Sequence, residues 1–285
     1  MSKMVGIIGL GLIGGSFAKS IRARTDMRIV GFDTDGDTLE RVLAEQVIDG
    51  VLDSETLTTC DFLIVALRPG IAVSWIQNNI DAIPHGCIIF DVAGVKREIV
   101  AKVGALCAAH GRTFVGAHPM AGYHEGGYTN ASDTLFEGAS FLICKDENTS
   151  DVAIDTLSTF AKEVGFGHVV VTTPENHDEM IAFTSQLAHI VSNAYIKDPD
   201  AQNHRGYSAG SFQDMTRVAI LDADMWSELC IENADMLIPH IDTLIENLTQ
   251  YREALVARDD EALRALLRAG VAAKRASIKA HEGNA

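Results

Sequence analysis

Residues 4–14 read MVGIIGLGLIG, and this stretch decides the fold. An apolar run, a glycine-rich turn and a helical pattern from Ser16 to Arg24 predict a strand, a tight turn and a helix. The turn fits the pattern GxGxxG at Gly9, Gly11 and Gly14. Gly9 would allow the tight turn, Gly11 a close approach of backbone N–H groups to a pyrophosphate, and Gly14 close packing of the helix on the strand.

A dinucleotide is therefore the ligand that this turn favours. Its phosphates would face the helix N-terminus, at the backbone of Leu12 and Ile13. A second strand, predicted over residues 28–32, ends at Asp33, 24 residues after Gly9 and near the usual position of the acid that binds a ribose 2′-hydroxyl. An acid there repels a 2′-phosphate, so the sequence favours NAD over NADP. The alternative interpretation is a glycine-rich turn with an aspartate that caps the next helix.

Strand and helix patterns alternate along the first part of the chain. Strands are predicted over residues 4–8, 28–32, 61–66, 87–91, 113–117, 140–144 and 168–172. Helices are predicted over residues 16–24, 38–45, 71–80, 97–110 and 151–164. This alternation predicts right-handed crossovers and a doubly wound, Rossmann-type parallel sheet. We therefore assign residues 1–172 to an N-terminal α/β domain that binds NAD.

The pattern changes after the last predicted strand. Thr173 and Pro174 are typical of a helix start. Beyond them apolar residues recur at helical spacing, as at Leu237 and Ile241. Residues 173–285 are therefore predicted to form an all-helical domain. Apolar-faced helices without a sheet to cover favour burial against a second copy of the chain, so we expect a homodimer.

Composition excludes several classes of partner. The chain has 285 residues and a net charge of −16, from 23 Lys and Arg against 39 Asp and Glu. Such a surface repels phosphate backbones, so we expect no nucleic acid partner. No apolar stretch reaches the roughly 20 residues that span a bilayer, so we expect no membrane partner. Five cysteines without a CxxC pair predict reduced thiols in a cytoplasmic protein and no metal site.

Candidate chemistry lies where the predicted strands end. His118 follows the apolar run 113–117, and Pro119 should stop that strand at once because it has no N–H. Ligands bind at the carboxyl ends of strands in an open α/β sheet, so His118 is placed to meet a substrate. Arg68 also follows a strand, and it is either a cofactor contact or a solvated loop cation. Asp91 either caps the next helix or binds a ligand.

The helical domain contains polar residues in apolar surroundings. Ser185, Gln186 and His189 are spaced to share one helical face, which indicates a pocket, although a lone histidine on such a face usually belongs to the core. Arg217 lies between apolar residues, and it either grips a carboxylate or pairs with the aspartate three residues before it. Trp226 either walls a pocket or fills the core.

In these motifs the chain resembles the prephenate/arogenate dehydrogenase family. The matching stretches are GLGLIGGS from Gly9, GAHPMAG around His118, SQLAH ending at His189, and SFQDMTRVA around Arg217, followed by DMW. The resemblance covers residues 5–255. GxGxxG is shared by many dehydrogenases, whereas the order of the later motifs across two domains is specific.

The resemblance implies the NAD-dependent oxidative decarboxylation of prephenate to 4-hydroxyphenylpyruvate in tyrosine biosynthesis. It implies that His118 takes the proton of the ring hydroxyl while a hydride leaves the same carbon, and that loss of CO₂ makes the ring aromatic. Arg217 would hold a substrate carboxylate, with Ser185, Gln186 and His189 lining the same site. Arogenate is an alternative substrate. A non-catalytic dinucleotide-binding regulatory protein is a third interpretation, against which the intact His118 and Arg217 argue.

Three positions depart from the family's pattern. Gly94 stands where many members carry a serine that touches substrate or base, so another group must make that contact. His124 stands where many members have glutamate, and we expect it, like Trp226, to contact the substrate. Some members carry histidine at the position of Gln186. We expect neither a chorismate mutase segment nor an ACT regulatory domain.

Overall fold

The computed structural model describes residues 2–123 and 125–282. Its strands are β1 (Met4–Ile8), β2 (Arg28–Phe32), β3 (Gly50–Val51), β4 (Phe62–Val65), β5 (Ile88–Asp91), β6 (Thr113–Pro119), β7 (Ser140–Cys144) and β8 (His168–Thr172). They form a sheet in the order β3-β2-β1-β4-β5-β6-β7-β8. The seven strands predicted from the sequence are confirmed, and the two-residue strand β3 is added to them.

Helices follow most of these strands, as the alternating pattern predicts. In the sheet region they are α1 (Leu12–Arg24), α2 (Gly36–Ala44), α3 (Ser54–Leu57), α4 (Pro69–Asn79), α5 (Arg97–Ala109) and α6 (Asp151–Glu163). After β8 come α7 (Pro174–Ile181), a π-helical turn (Ala182–Leu187), α8 (Ala188–Tyr195), α9 (Gly210–Thr216), α10 (Ala223–Glu232), α11 (Ala234–Ala257) and α12 (Asp260–Glu282). Among the described residues, no helix is both long enough and apolar enough to cross a membrane.

The sheet is parallel except between β6 and β7, which run antiparallel. The expectation of a fully parallel sheet is therefore wrong at this pair. A parallel connection needs a crossover, usually a helix, and the described residues between β6 and β7 contain only the 3₁₀ turn Tyr128–Asn130. As a result, residues 113–115 of β6 pair with β5, whereas residues 116–119 pair with β7.

Consecutive residues of the central strands pack into two different hydrophobic clusters. Ile7 belongs to one cluster, with Phe17 of α1 and Phe160 of α6. Its neighbour Ile8 belongs to the other, with Ile76 of α4. Side chains alternate between the two faces of a strand, so both faces of this sheet are covered. Each fully buried side chain of this size contributes about 1.5–3 kcal/mol.

The chain divides into two compact units at Asn233. The first unit holds the sheet together with α1 to α10. The second unit, from Ala234 onward, holds α11 and α12, with Arg258 between them at φ 54°. The domain boundary inferred from the sequence, after residue 172, stays a prediction.

The parallel strands bring their carboxyl ends to one edge of the sheet, where the candidate site lies. The turn after β1 is fixed to this edge by β2. The N–H of Gly9 donates to the carbonyl oxygen of Phe32 at 2.9 Å, and the N–H of Leu10 donates to the carboxylate of Asp33 at 2.6 Å. The exits of β4, β5 and the first half of β6 face the same way because these strands are parallel to β1.

Candidate active site

The glycine-rich turn has the shape expected of a pyrophosphate site. Gly9 has a φ of +84°, a left-handed conformation that favours glycine. A Cβ on Gly14 would lie 1.8 Å from the carbonyl oxygen of Gly9, so glycine is required for α1 to approach the strand this closely. A Cβ on Gly11, in contrast, would meet no described atom within 4 Å. The space beside Gly11 is therefore open to a bound group.

Helix α1 begins without a capping side chain. Gly11 is its N-cap residue, and in the part of the chain that the structure describes no side chain caps it and no acid lies in its first turn. The N–H groups of Leu12 and Ile13 therefore remain available as donors at the positive end of the helix dipole. This donor set fits the pyrophosphate of a dinucleotide.

Asp33 lies at the exit of β2, beside the glycine turn. Its Oδ2 accepts the N–H of Leu10 at 2.6 Å, and its Oδ1 accepts the N–H of Asp35 at 2.9 Å. Each carboxylate oxygen can accept a second hydrogen bond, so Asp33 retains the capacity to bind a ribose hydroxyl. Asp33 does not cap α2, because the capping residue is Asp35.

Arg68 lies at the start of α4 and faces α10. Its guanidinium is 3.7 Å from the carboxylate of Asp222, and the two side chains are 43% and 55% exposed. An exposed pair at this distance is worth little to stability. The N–H of Gly70 donates to the carboxylate of Glu228 at 3.3 Å, so the start of α4 also contacts the middle of α10. Contact of Arg68 with a cofactor stays a prediction.

His118 lies within β6, not in a loop after it. The expectation that Pro119 ends the strand at Ala117 is wrong, because antiparallel pairing with β7 continues to Pro119. Proline occupies the last position of the strand, and the next N–H, that of Met120, donates to the carbonyl oxygen of Ser140 at 2.8 Å. The backbone of His118 is therefore fixed by the sheet.

The ring of His118 is joined to α7 by a chain of hydrogen bonds. Its Nδ1 lies 2.9 Å from Nε2 of His177, and Nδ1 of His177 lies 2.7 Å from Oδ1 of Asp178. Asp178 also accepts the backbone N–H groups of Lys96 at 2.7 Å and of Arg97 at 2.9 Å. The carboxylate therefore caps α5 and fixes the far end of the chain of hydrogen bonds.

The charge states of these groups follow from their surroundings. Burial lowers the pKa of His118 well below its usual value, and the charges of His177 and Lys96 lower it further. Burial also lowers the pKa of His177, although the hydrogen bond to Asp178 opposes this. For Asp178, burial raises the pKa, but the hydrogen bonds from His177, Arg97 and Lys96 outweigh it, so the pKa is lowered. At pH 7 both histidines are neutral and Asp178 is ionised.

A fully buried ion pair between Lys96 and Asp91 lies next to His118 in the fold. Asp91 also accepts the N–H of Ala93 at 2.9 Å and that of Ala117 at 3.2 Å. The pair thus fixes the exit of β5 to the residue before His118. Since α5 is capped by another carboxylate, Asp91 is not the helix cap that the sequence allowed.

The π-helical turn changes the arrangement of the polar residues at 185–189. Gln186 is buried, its Nε2 donates to the carbonyl oxygen of Leu229 at 2.9 Å, and its Oε1 accepts from Asn233 at 2.8 Å. His189 is half-buried, and its Nδ1 donates to the carbonyl oxygen of Ser185 at 2.8 Å. The expectation that all three share one pocket-lining face is wrong for Gln186, because a π-helical turn does not keep α-helical spacing.

Arg217 and Trp226 are placed by α9 and α10. Arg217 is exposed, and no ion pair joins it to Asp214 within the described residues, so the structural pair considered from the sequence is not formed. Trp226 is half-buried, and its ring lies tilted against that of His189 with the centroids 4.1 Å apart, so it does not fill the core. A side-chain hydrogen bond from α8 to the carbonyl oxygen of Ala219 holds the segment after Arg217.

Of the other two positions that depart from the family's pattern, the structure describes Gly94 and not His124. A Cβ on Gly94 would lie 3.3 Å from the side chain of Leu229. Glycine offers no side-chain contact to His118, and Nδ1 of His118 is bound to Nε2 of His177 at 2.9 Å. His124 lies outside the described residues, so its substrate contact stays a prediction.

Sequence reasoning missed three buried polar residues, His177, Asp178 and Asn233. Asn233 donates to the carbonyl oxygen of Asp178 at 2.9 Å and to Gln186. The available signal was the stretch TPENHD at residues 173–178, which puts a His-Asp pair near the start of a helix directly after a strand. Local spacing does not show that this pair meets His118, 59 residues away.

Two family models match the chain. The family model described as prephenate dehydrogenase, nucleotide-binding domain, matches residues 17–182. The one described as prephenate dehydrogenase, dimerization domain, matches residues 173–269.

Individual relatives match over most of their length. The chain is 28% identical to prephenate dehydrogenase from Bacillus subtilis, over 92% of this chain and 73% of the relative. It is 29% identical to cyclohexadienyl dehydrogenase from Zymomonas mobilis, over 92% of this chain and 91% of the relative. Among solved structures, prephenate dehydrogenase from A. aeolicus in complex with hydroxyphenyl propionate and NAD+ superposes with a TM-score of 0.84, at 26% identity over 98% of this chain and 99% of that one.

Proposed function

The chain belongs to the prephenate dehydrogenase family, and we propose that it catalyses the NAD-dependent oxidative decarboxylation of prephenate to 4-hydroxyphenylpyruvate and CO₂. The observation that carries this proposal is the arrangement of His118. The sheet fixes its backbone, its Nδ1 is bound to His177, and its pKa is lowered well below the usual value. A histidine that is neutral at pH 7 suits a general base.

NAD is the cofactor of this reaction and supplies the hydride acceptor when it is bound. We assign its pyrophosphate to the glycine turn, with the N–H groups of Leu12 and Ile13 as donors and the open space beside Gly11 as the approach. We assign the ribose 2′-hydroxyl to Asp33, whose charge repels the 2′-phosphate of NADP. Arg68 is proposed as a further cofactor contact.

The proposed chemistry needs one proton acceptor at the ring hydroxyl of prephenate. His118 takes this proton, and the electron pair of the broken O–H bond forms a carbonyl group while the hydride leaves the same carbon. The bond to the ring carboxylate then breaks, and its electrons make the ring aromatic as CO₂ departs. His118 returns the proton to the phenolate oxygen. Aromatisation provides the driving force, so the protein's main tasks are proton transfer and positioning.

We assign Arg217 to a substrate carboxylate. Its guanidinium is exposed, and a planar fork can bind a carboxylate with two hydrogen bonds. Prephenate is a dianion and the chain carries a net charge of −16, so a local cation must oppose the overall field. Ser185, His189, Trp226 and His124 are proposed as the other substrate contacts, and His189 has Nε2 available because its Nδ1 is bound to Ser185.

Arogenate is the second candidate substrate. One relative is named cyclohexadienyl dehydrogenase, and the cyclohexadienyl ring is common to prephenate and arogenate. The two substrates differ only in a keto or amino group on the side chain, away from the carbon that is oxidised. The same His118 chemistry therefore serves both.

We further propose that the chain is a homodimer formed through residues 173–285, the predicted helical domain. The dimerization-domain model matches residues 173–269. In the unit formed by α11 and α12, large apolar side chains are more than half exposed, among them Ile245, Leu248, Leu255, Leu267 and Val271. This number of exposed large apolar side chains favours burial in an interface. The five free cysteines support a cytoplasmic location.

The proposed function is tested by the rate of reduced-cofactor formation with prephenate and with arogenate, each with NAD+ and NADP+. We expect the highest kcat/KM with prephenate and NAD+. A higher value with arogenate would establish the second candidate. Absence of reaction with both substrates would leave only the non-catalytic interpretation.

A further inference from the structure

We propose that His177, held by Asp178, is a positioning residue that fixes His118 in the tautomer with a free Nε2 and shares the proton that His118 accepts. The proposal rests on the proposed function, in which His118 is the base. It assigns a role to two buried residues that the proposed reaction has not yet used.

The first step concerns which atom carries the hydrogen between His177 and Asp178. The Asp178 carboxylate accepts the N–H groups of Lys96 and Arg97, and Nε of Arg97 lies 3.2 Å from its Oδ2. A carboxylate held by this many donors is ionised and can only accept hydrogen bonds. Nδ1 of His177, at 2.7 Å, must therefore be the donor.

The tautomer of His118 follows from that of His177. A neutral imidazole carries one N–H, so a His177 protonated at Nδ1 has a lone pair at Nε2. Nδ1 of His118, 2.9 Å away, must then donate to it, which leaves the lone pair of His118 at Nε2. The reverse arrangement would direct the lone pair of His177 Nδ1 at the carboxylate. The base atom of His118 is thus set before the substrate binds.

The second step concerns the proton after transfer. When His118 accepts the hydroxyl proton at Nε2, the substrate O–H bond breaks and an N–H bond forms, so the ring becomes a cation. The charges that face it are Lys96, which is paired with Asp91, and beyond His177 the carboxylate of Asp178. If the hydrogen on Nδ1 of His118 moves to Nε2 of His177, one N–H bond breaks and one forms.

This shift brings the positive charge into direct contact with Asp178. The charge of Lys96 opposes a cation on either ring, so the carboxylate is what distinguishes the two positions. The carboxylate at 2.7 Å then stabilises the His177 cation, whereas a cation on His118 has no carboxylate within hydrogen-bond distance among the described residues. The proton is therefore shared by the two rings. The apparent pKa at which kcat falls on the acid limb of the pH profile then belongs to the pair and not to either ring alone.

Two substitutions of His177 separate positioning from proton sharing. In His177→Gln the amide oxygen can accept from Nδ1 of His118, so the tautomer is kept, but the amide cannot take up a proton. In His177→Asn the shorter side chain can still donate to Asp178 but does not reach His118. The thermal midpoint of unfolding and the NAD dissociation constant are measured for both variants as controls. Wild-type values show that the fold and the cofactor site are intact.

We expect His177→Gln to lower kcat about tenfold with little change in KM, and to move the acid limb of the kcat profile to lower pH, because only His118 then titrates. We expect His177→Asn to lower kcat about 100-fold, on the scale of losing a group that orients a catalytic histidine. A His177→Gln enzyme with wild-type kcat and a wild-type acid limb would overturn proton sharing. A His177→Asn enzyme with wild-type kcat would overturn positioning.

A measurement on the wild-type protein keeps the proposal testable if both variants fail to fold. The ¹⁵N chemical shifts of labelled histidines report which ring nitrogen carries hydrogen. We expect His118 protonated at Nδ1 and His177 protonated at Nδ1 at pH 7, and His118 protonated at Nε2 would overturn the proposal. This result is independent of turnover. If the wild-type enzyme forms no reduced cofactor, the proposed function fails while the tautomer is still decided.

Discussion

The carboxylate of Asp178 accepts the backbone N–H of Lys96 at 2.7 Å, across 82 residues of sequence. This bond ties α7, which carries His177, to the start of α5. The candidate base therefore depends on two segments that meet only in the folded chain. Its strand β6 supplies the backbone position, and α7 supplies the partner of its ring.

The glycine turn allows a matched pair of alanine substitutions. Gly14→Ala places a Cβ 1.8 Å from the carbonyl oxygen of Gly9, so α1 must shift, and we expect a loss of about 1–3 kcal/mol in the free energy of unfolding. In Gly11→Ala the added Cβ meets no described atom within 4 Å, so we expect only the smaller loss, on the order of 0.5–1 kcal/mol, that alanine causes at an N-cap position. We expect Gly11→Ala to raise the NAD dissociation constant about tenfold or more, which corresponds to about 1.4 kcal/mol. If Gly11→Ala binds NAD with wild-type affinity, the assignment of the pyrophosphate to the space beside Gly11 is contradicted.

Cofactor selectivity tests the role of Asp33. In Asp33→Ala the negative charge that repels a 2′-phosphate is absent, so we expect the ratio of kcat/KM for NAD+ to that for NADP+ to fall. Asp35→Asn is the control, because it removes a neighbouring charge but keeps an oxygen that can cap α2. Unchanged selectivity in Asp33→Ala, or an equal change in the control, would contradict the assignment.

Substrate affinity tests the role of Arg217. Loss of a charge-assisted pair of hydrogen bonds costs about 1.5–3 kcal/mol, so we expect Arg217→Ala to raise KM for prephenate about 10- to 100-fold and to change kcat far less. Asp214→Ala is the control on the same helical segment, since no ion pair joins Asp214 to Arg217 within the described residues. A loss confined to kcat would argue against a binding role.

The pH dependence of kcat/KM follows from the lowered pKa of His118. The base must be neutral, and His118 stays neutral as the pH falls until the His118–His177 pair takes up a proton; the pKa of each ring is lowered below the usual value of 6.5. We therefore expect kcat/KM to stay level from pH 8 to below pH 6.5 and to fall only at lower pH. A decline that begins above pH 6.5 would mean that burial does not hold the base neutral.

Much of the fold can be read from local pattern. The predicted strands at Ser140–Cys144 and His168–Thr172 agree residue for residue with β7 and β8, because each is a short apolar run between turns. The direction of β7 was predicted wrongly as parallel, since it depends on the lack of a helix in the described part of the connection and on pairing with β6. The same pairing explains why β6 continues through Pro119.

The candidate site was predictable only where its residues belong to a local motif. Gly9, Gly11 and Gly14 were identified because the spacing of three glycines within one turn defines their roles. Gln186 was misplaced because a π-helical turn replaces the α-helical spacing on which the inference depended. His177 was missed because the sequence around it gives no indication of its partner. That partner, the ring of His118, lies far away in the sequence.

The most direct test of the central claim is the kcat of His118→Asn with prephenate and NAD+, measured with the NAD dissociation constant of the same variant. We expect kcat to fall about 100-fold or more, the scale of losing a general base, while the NAD dissociation constant stays at its wild-type value. A variant that retains wild-type kcat would contradict the account, because His118 would then not be the group that accepts the proton.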